Sequence, residues 1–355
     1  MATRPIRFWL VALTAALVLL WLLSGMLLPF VLGVAIAYLL DPGVDLLQRG
    51  RIPRGVGAVL VLAGFAVAIF GTVLLLVPLF QVQLYRLLEV LPRLVDWVRS
   101  DLIPRLEVLA SDLGPQDVER IRTAAAQYAG DAVSLLGSLI TGLLSRGLAL
   151  FDVLSVLLIT PIVAFYILRD WDVMVATVDG WLPRRHAATI RAEVTEVNRT
   201  LAGFVRGQST VCLILGAFYA VALSLVGLDF GLTIGVVAGI LTFIPYVGSA
   251  IGFFASVSLA MAQYESWWMV GVVAGIFLVG QFAEGNFLTP RLVGGSVGLH
   301  PVWVMFALLA GGYLYGFLGV LVAVPVAATV GVLLRFALRQ YLASPYYRGD
   351  APPSS

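Results

Sequence analysis

Residues 232–262 are apolar enough to lie in a lipid bilayer, yet Pro245, Tyr246, Val247 and Gly248 interrupt them midway. At 1.5 Å per residue, residues 231–262 drawn as one helix would measure about 48 Å, against a hydrocarbon core of about 30 Å. Two half-helices joined as a re-entrant hairpin fit that length better. A break inside hydrocarbon leaves N–H and C=O groups unpaired, which is tolerable only where protein or a water-filled cavity covers them. The interruption therefore points to a transport site.

The rest of the chain agrees with a bilayer environment. Of 355 residues, 61% are hydrophobic and 12% charged, whereas about a quarter are charged in a soluble domain. The expected fold is an all-α polytopic membrane protein of about eight hydrophobic segments. Residues 8–28 carry no charge and are long enough to span, so they read as a retained first helix rather than a signal peptide. A net charge of +2 with scattered basic residues implies no nucleic-acid partner. The single Cys212 excludes an intrachain disulfide and a cysteine metal cluster, and His186 and His300 lie too far apart in sequence to suggest a metal site. The sequence contains no lysine, which rules out a Walker A loop and a Schiff-base lysine. Neither enzymatic chemistry nor a cofactor is expected, and any pumping is driven by a gradient or by another subunit.

Along the chain, Pro29 precedes an apolar run at 30–40 that Asp41 and Pro42 end, either a tilted span or half of a helical hairpin. Arg49, Arg51 and Arg54, with Arg4 and Arg7, place both ends of this first hairpin in the cytoplasm by the positive-inside rule. Residues 56–79 lead outward. In the polar section that follows, charges at Arg86, Glu89, Arg93 and Asp96 alternate with Leu87, Leu91, Leu94 and Val98, as in amphipathic helices. Residues 148–168 return inward to a loop rich in arginine. There Ile190, Val194, Val197, Leu201 and Phe204 form an apolar stripe, expected on a helix lying on the inner membrane surface. Residues 207–226 cross outward before the broken segment, and 267–282 cross inward. Residues 302–334 repeat the length problem, with Gly311, Gly312, Gly316 and Gly319 near their middle, so a second hairpin is expected, ending beside Arg335 and Arg339.

The resulting division is 1–80 for the N-terminal membrane helices, 81–147 for a small amphipathic helical subdomain and 148–206 for a span plus interfacial helix. A transport core at 207–340 and a tail at 341–355 complete it, with both termini in the cytoplasm. Two span-plus-hairpin units entering from opposite faces make an inverted repeat, a recurring transporter design. Gly227-Leu228-Asp229 and Gly298-Leu299-His300 precede the two hairpins at matching places.

At the first break, Pro245 removes an N–H and Gly248 permits a tight turn, while Tyr246 and Ser249 offer hydroxyls beside a half-helix N-terminus. A hinge that only lets the helix bend is the competing reading. Glu284 is the leading candidate for a proton or cation coupler, with Asn286 and Arg291 as partners, because carboxylates inside a membrane are costly and usually have a partner or a task. A solvated Glu284 ending its helix is the alternative. Gly312 and Gly316 of the second hairpin join the candidate set. His300 is a candidate proton-exchanging group or anchors a helix start, Asp229 caps a helix or joins the site, and Trp267 and Trp268 fit an interfacial aromatic belt. Ser209 and His300 do not make a protease site, because no glycine follows Ser209 to shape a nucleophile turn.

Several of these runs carry a family resemblance. Gly203-Phe204-Val205-Arg206-Gly207-Gln208, Ile244-Pro245-Tyr246-Val247-Gly248, Glu284-Gly285-Asn286 through Pro290-Arg291, and Leu299-His300-Pro301 are similar to the autoinducer-2 exporter (permease-like) family. Asp41-Pro42 and Pro161-Ile162 through Tyr166 extend the likeness over nearly the whole chain. The resemblance implies a homo-oligomeric transporter of the bacterial inner membrane. Some relatives are associated with autoinducer-2 export and others with exchange of sodium or lithium for protons. The expected function is export of a small polar metabolite or signalling molecule driven by an ion gradient. A sodium(lithium)/proton antiporter and a non-transporting membrane scaffold are the alternatives.

Overall fold

The computed structural model describes residues 22–74, 147–293 and 298–348, with 14, 15, 18, 19 and 123 as isolated positions. Most of the expected first span and, but for residue 123, the amphipathic section at 81–146 lie outside the described residues. The described chain is helical: α1 (Leu28–Arg49), α2 (Arg54–Leu74), α3 (Gly147–Gly180), α4 (Ala187–Val226), α5 (Gly231–Leu241) and α6 (Val247–Gln263) follow in order. Then come α7 (Trp267–Ala283), which runs through a π-helical turn at Glu284–Leu288 into Thr289–Leu292, α8 (Pro301–Ala343) and a short α9 (Pro345–Arg348). Six of these segments are long and apolar enough to cross a membrane, and α5 and α6 are shorter apolar helices. The chain is a polytopic membrane protein.

The organising element is α4. Its 40 residues span about 60 Å, so the amphipathic stripe and the following span are one unbroken helix rather than a surface helix and a separate crossing. Nothing in residues 200–211 breaks it, because Gly207 stays helical while its missing side chain lets the carbonyl of Leu292 lie against it. Val211, Leu215, Tyr219 and Leu223 face inward on α4, whereas Leu213 and Leu225 remain 74% and 82% exposed. A helix apolar on every side turns its unburied face to lipid.

The Asp41-Pro42 pair does not end α1, as the sequence suggested. The helix continues to Arg49 with Pro42 inside it. Proline has no N–H for the carbonyl four residues earlier, and that carbonyl, on Tyr38, instead accepts a 2.8 Å hydrogen bond from Arg206 Nε of α4. Arg54 at the start of α2 then binds Asp41, Asp45 and Asp172 at 2.9, 3.1 and 3.3 Å and donates to the Leu168 carbonyl at 2.9 Å. One half-buried guanidinium thus fastens α1, α2 and α3 at their arginine-rich end. The α3 helix also outlasts the expected stop at Leu168, running to Gly180.

Both broken apolar segments fold back as helix pairs. In the first, α5 lays Gly231, Gly235 and Gly239 against Leu223, Ala220 and Gly216 of α4, and a Cβ on Gly239 would overlap the Gly216 Cα. Small residues at intervals of four let backbones meet where apolar lipid offers helices no hydrophobic drive to associate. α6 folds back so that Gly252 packs on Ala238. The mouth is fastened by Gln263, which accepts from Asp229 N and donates to the Gly227 carbonyl, both at 2.8 Å.

The second hairpin is α8 itself, which is not one 43-residue span. Gly316 has φ 58° and ψ −138°, a conformation open essentially to glycine. In a straight helix residues 311 and 319 would stand about 12 Å apart, yet a Cβ on either would overlap the other's carbonyl. Leu299 reaches Gly331 and Arg335 reaches Gly298 at the mouth, from which the second arm continues until Arg339 bonds Glu193 of α4 at 2.7 Å. The mouths therefore lie at opposite ends of α4, Val226 for one hairpin and Glu193 for the other. The two hairpins point in opposite directions.

Replacing Gly239 with leucine should abolish monodisperse protein on size exclusion in detergent, because the backbones of α4 and α5 would have to part. Gly271→Leu, at a position with nothing within 4 Å of its Cβ, should elute as wild type. Equal behaviour of the two variants would show that α4 and α5 are not in backbone contact.

Candidate functional site

The tip of the first hairpin is assembled from a small number of backbone constraints. Pro245 fixes φ and withholds a donor, and Tyr246 follows with φ 69°, the left-handed conformation that a side chain adopts only at a cost of about 1–2 kcal/mol. Gly248 is buried flush against the backbone of Thr242, where any Cβ would collide with the Thr242 nitrogen. The Ser249 hydroxyl is buried and turns back to the Tyr246 carbonyl at 3.4 Å. Of the sequence-derived tip residues, Gly248 and Ser249 close the turn, Pro245 is half-buried, and Tyr246 presents its ring outward, 47% exposed.

The tip carbonyl of Thr242 has no donor within its own helix and is met by Gln208 Nε2 of α4 at 2.6 Å, a buried contact. The Thr242 hydroxyl, also buried, donates to Ala238 O at 2.8 Å. Gln208 was not among the residues singled out from sequence as a site. The available signal is an amide-bearing side chain beside Arg206, Ser209 and Thr210 at the start of an apolar span.

Glu284 opens the π-helical turn and is buried, 7% exposed. Its hydrogen-bond partner is Gln281 Nε2, 3.4 Å from Oε2. Asn286 and Arg291 do not supply the expected partnership: Asn286 Nδ2 donates to the Phe282 carbonyl at 3.0 Å, and the Arg291 guanidinium lies 6.0 Å over the Phe287 ring, both on exposed surface. On α4, Cys212 and Tyr219 lie within electrostatic reach of the carboxylate. Tyr219 is fully buried, stacked on Phe277 at 4.5 Å, with its hydroxyl over Gly280 and no hydrogen-bond partner.

Helix register brings these parts to one depth. α6 and α7 run antiparallel with Gly252 against Phe277. Seven positions from Gly252 toward the tip is Pro245, and seven from Phe277 along α7 is Glu284. The broken tip and the carboxylate thus share a level, with Gln208 and Cys212 of α4 beside them. Cys212 lies about 21 Å along α4 from Val226. π-Helical turns recur at functional sites, because the extra residue re-aims the side chains around it.

The second hairpin contributes differently. Gly312 is half-buried under Val320, and Gly316 is exposed at a tip beside Tyr313, which is 92% exposed. The principal neighbour of α8 is α4 rather than α5 or α6, so Gly312 and Gly316 are not gathered with Glu284. His300 takes its simpler role, its Nδ1 accepting from Val302 N at 3.3 Å ahead of Pro301. Trp267 and Trp268 are exposed at the start of α7.

Comparison with known proteins agrees over nearly the full length. The family model described as AI-2E family transporter matches residues 10–339. "Putative transport protein YrrI" of Bacillus subtilis is 30% identical over 323 residues, covering 90% of this chain and 89% of its own. "Putative transport protein sll0063" of Synechocystis is 30% identical over 308 residues, with 83% and 73% covered. "Putative permease PerM" of Escherichia coli is 25% identical over 332 residues, with 92% and 91% covered.

Gln208→Leu keeps the approximate volume but leaves the buried Thr242 carbonyl without its donor, a loss of about 1–3 kcal/mol. The thermal midpoint in detergent should fall accordingly. An unchanged midpoint would mean that water already serves that carbonyl.

Proposed function

The chain belongs to the AI-2E family of transporters, and from that premise we propose that it is a secondary exporter whose flux is coupled to an ion gradient through Glu284. Its cargo is a small polar metabolite or signalling molecule of the autoinducer-2 kind. The observation that carries the reading is a carboxylate buried at 7% exposure, level with a helix break and met by one amide at 3.4 Å. Among the described residues no arginine or histidine pairs with it. A carboxylate inside a membrane without a counter-charge is a place for a proton or a sodium ion to bind, and its release on the other side is what coupling requires. The Thr242–Tyr246 tip beside it supplies the solute contacts, with the Tyr246 ring turned outward.

The family setting supports a bacterial inner membrane. The arginines at the α1–α2 turn, the α3–α4 turn and the end of α8 favour a cytoplasmic location for that end, and with it both termini. Close helix packing through glycines supports a rigid protomer that works within a homo-oligomer. Exchange of sodium or lithium for protons would use the same carboxylate, and a scaffold would need no carboxylate at all.

Proteoliposomes separate these readings. Wild-type protein should release entrapped autoinducer-2 faster under an imposed proton gradient, and Glu284→Gln should lose that stimulation while remaining monodisperse. Undiminished coupled flux in Glu284→Gln removes Glu284 from the mechanism. Luminal pH that responds to sodium without solute movement supports the antiporter, and flux at the level of empty liposomes in both assays supports the scaffold.

A further inference from the structure

The described residues form two apolar cores. One gathers α4 to α8, and the other joins α1, α2 and α3 around Ala37, Val44, Ala58 and Leu168. Apolar contact from α1 to the larger core is made by the half-buried Ala35, Tyr38 and Leu39. The remaining links across this seam are polar. Arg206 donates through Nε to the Tyr38 carbonyl at 2.8 Å and through Nη2 to Asp41 Oδ2 at 3.5 Å, and the Tyr38 hydroxyl donates to Asn198 Oδ1 at 2.9 Å. Between the two helix groups these side chains and Trp171 line a half-open cavity of about 40 Å³.

This cavity has the chemistry of a site for a neutral solute. Its lining carries one acid and one base, Asp41 and Arg206, an amide, Asn198, and the rings of Tyr38 and Trp171, edge to face at 5.8 Å. Arg206, with Arg54 behind it on Asp41, disfavours a cation, and Asp41 disfavours an anion. At this volume the half-open cavity holds about two or three waters. When Arg206 swings away, the Tyr38 carbonyl that Pro42 left without a helical donor becomes an acceptor, and the guanidinium becomes a donor. A hydroxyl group satisfies both. Polar links of this kind open at low net cost, because water or solute replaces each partner.

The latch also adjoins the candidate site. Arg206, Gly207 and Gln208 are consecutive on α4 and contact three different elements: α1 through Tyr38, the end of the α7 segment through Leu292, and the first hairpin tip through Thr242. The geometry points to the seam as the vestibule of the solute path on the arginine-rich side, narrowed in this state by Arg206 and admitting a small, uncharged, oxygen-rich solute. This inference rests on the transporter reading for the word path, but not for the latch.

The test places Asn198→Cys in a Cys212→Ser background and follows its labelling by a charged, membrane-impermeant methanethiosulfonate in inside-out vesicles. Arg206→Gln should speed labelling by about tenfold, the shift expected from losing one charge-assisted hydrogen bond. Arg206→Lys, which keeps the charge without the two-point contact, should fall between and stands in if Arg206→Gln is not monodisperse. Labelled protein should lose autoinducer-2 flux. A labelling rate indifferent to both substitutions overturns the latch, and full flux after complete labelling overturns the vestibule. If the unlabelled parent moves no autoinducer-2, that failure belongs to the transporter reading, and the labelling ratio alone decides the latch.

Discussion

Every backbone carbonyl released by a break at membrane depth has to find a donor inside the protein, and much of this architecture follows from that requirement. Pro42 releases the carbonyl of Tyr38, and the broken tip releases that of Thr242. Donors for both come from a single turn of α4, Arg206 and Gln208, at 2.8 and 2.6 Å. Had α4 bent at Gly207, the two donors could not both be held in register. The helix is straight there because Gly207 accommodates a foreign carbonyl rather than adopting a foreign conformation. Among the described residues, left-handed backbone falls elsewhere, at Arg51, Phe230 and Tyr246 and at Gly227, Gly298 and Gly316.

This arrangement separates two kinds of joint. Between α4 and α5 the backbones touch through glycine, a contact with no side chain to rearrange and nothing for water to replace. Between α4 and α1 the links are hydrogen bonds and an ion pair around a cavity. The first kind of joint is rigid, and the second can exchange partners. Such a distribution makes α4 and the first hairpin one body and α1 to α3 another, with the carboxylate of Glu284 on the rigid side.

How much of this the sequence disclosed depended on distance along the chain. The break at Pro245–Gly248 and the glycines of the second hairpin are local signals, and residues 311 and 319 meet where length alone demanded a reversal. Asp41-Pro42 was misread as an end because the donor that rescues it lies 168 positions from Tyr38. The stripe from Ile190 to Phe204 is amphipathic, but amphipathicity does not say whether a helix stops at the next glycine. Glu284 stood out as a charge in an apolar run. Its supposed partners did not hold, because the π turn carries Asn286 and Arg291 to the outer surface. Gln208 is legible only as part of the Gly203–Gln208 run, and Tyr219 carries no local signal inside an apolar helix, while the four-residue spacing of Gly231, Gly235 and Gly239 marks where α5 packs.

The clasp between Arg339 and Glu193 bears on how the chain is made. α4, the first hairpin and α7 contact one another within about a hundred residues of continuous sequence, so their packing is local and quick to form. Glu193 and Arg339 are 146 positions apart, and the second arm of α8 has to be synthesised before they can meet. During translation the inward-facing surface of α4 is occupied first by α5 and α7, while its arginine-rich end stays open to late arrivals. The second hairpin is thus added to a unit that is already assembled. A chain cut short before residue 339 has its centre packed and its last fastening, the Arg339–Glu193 pair, unmade.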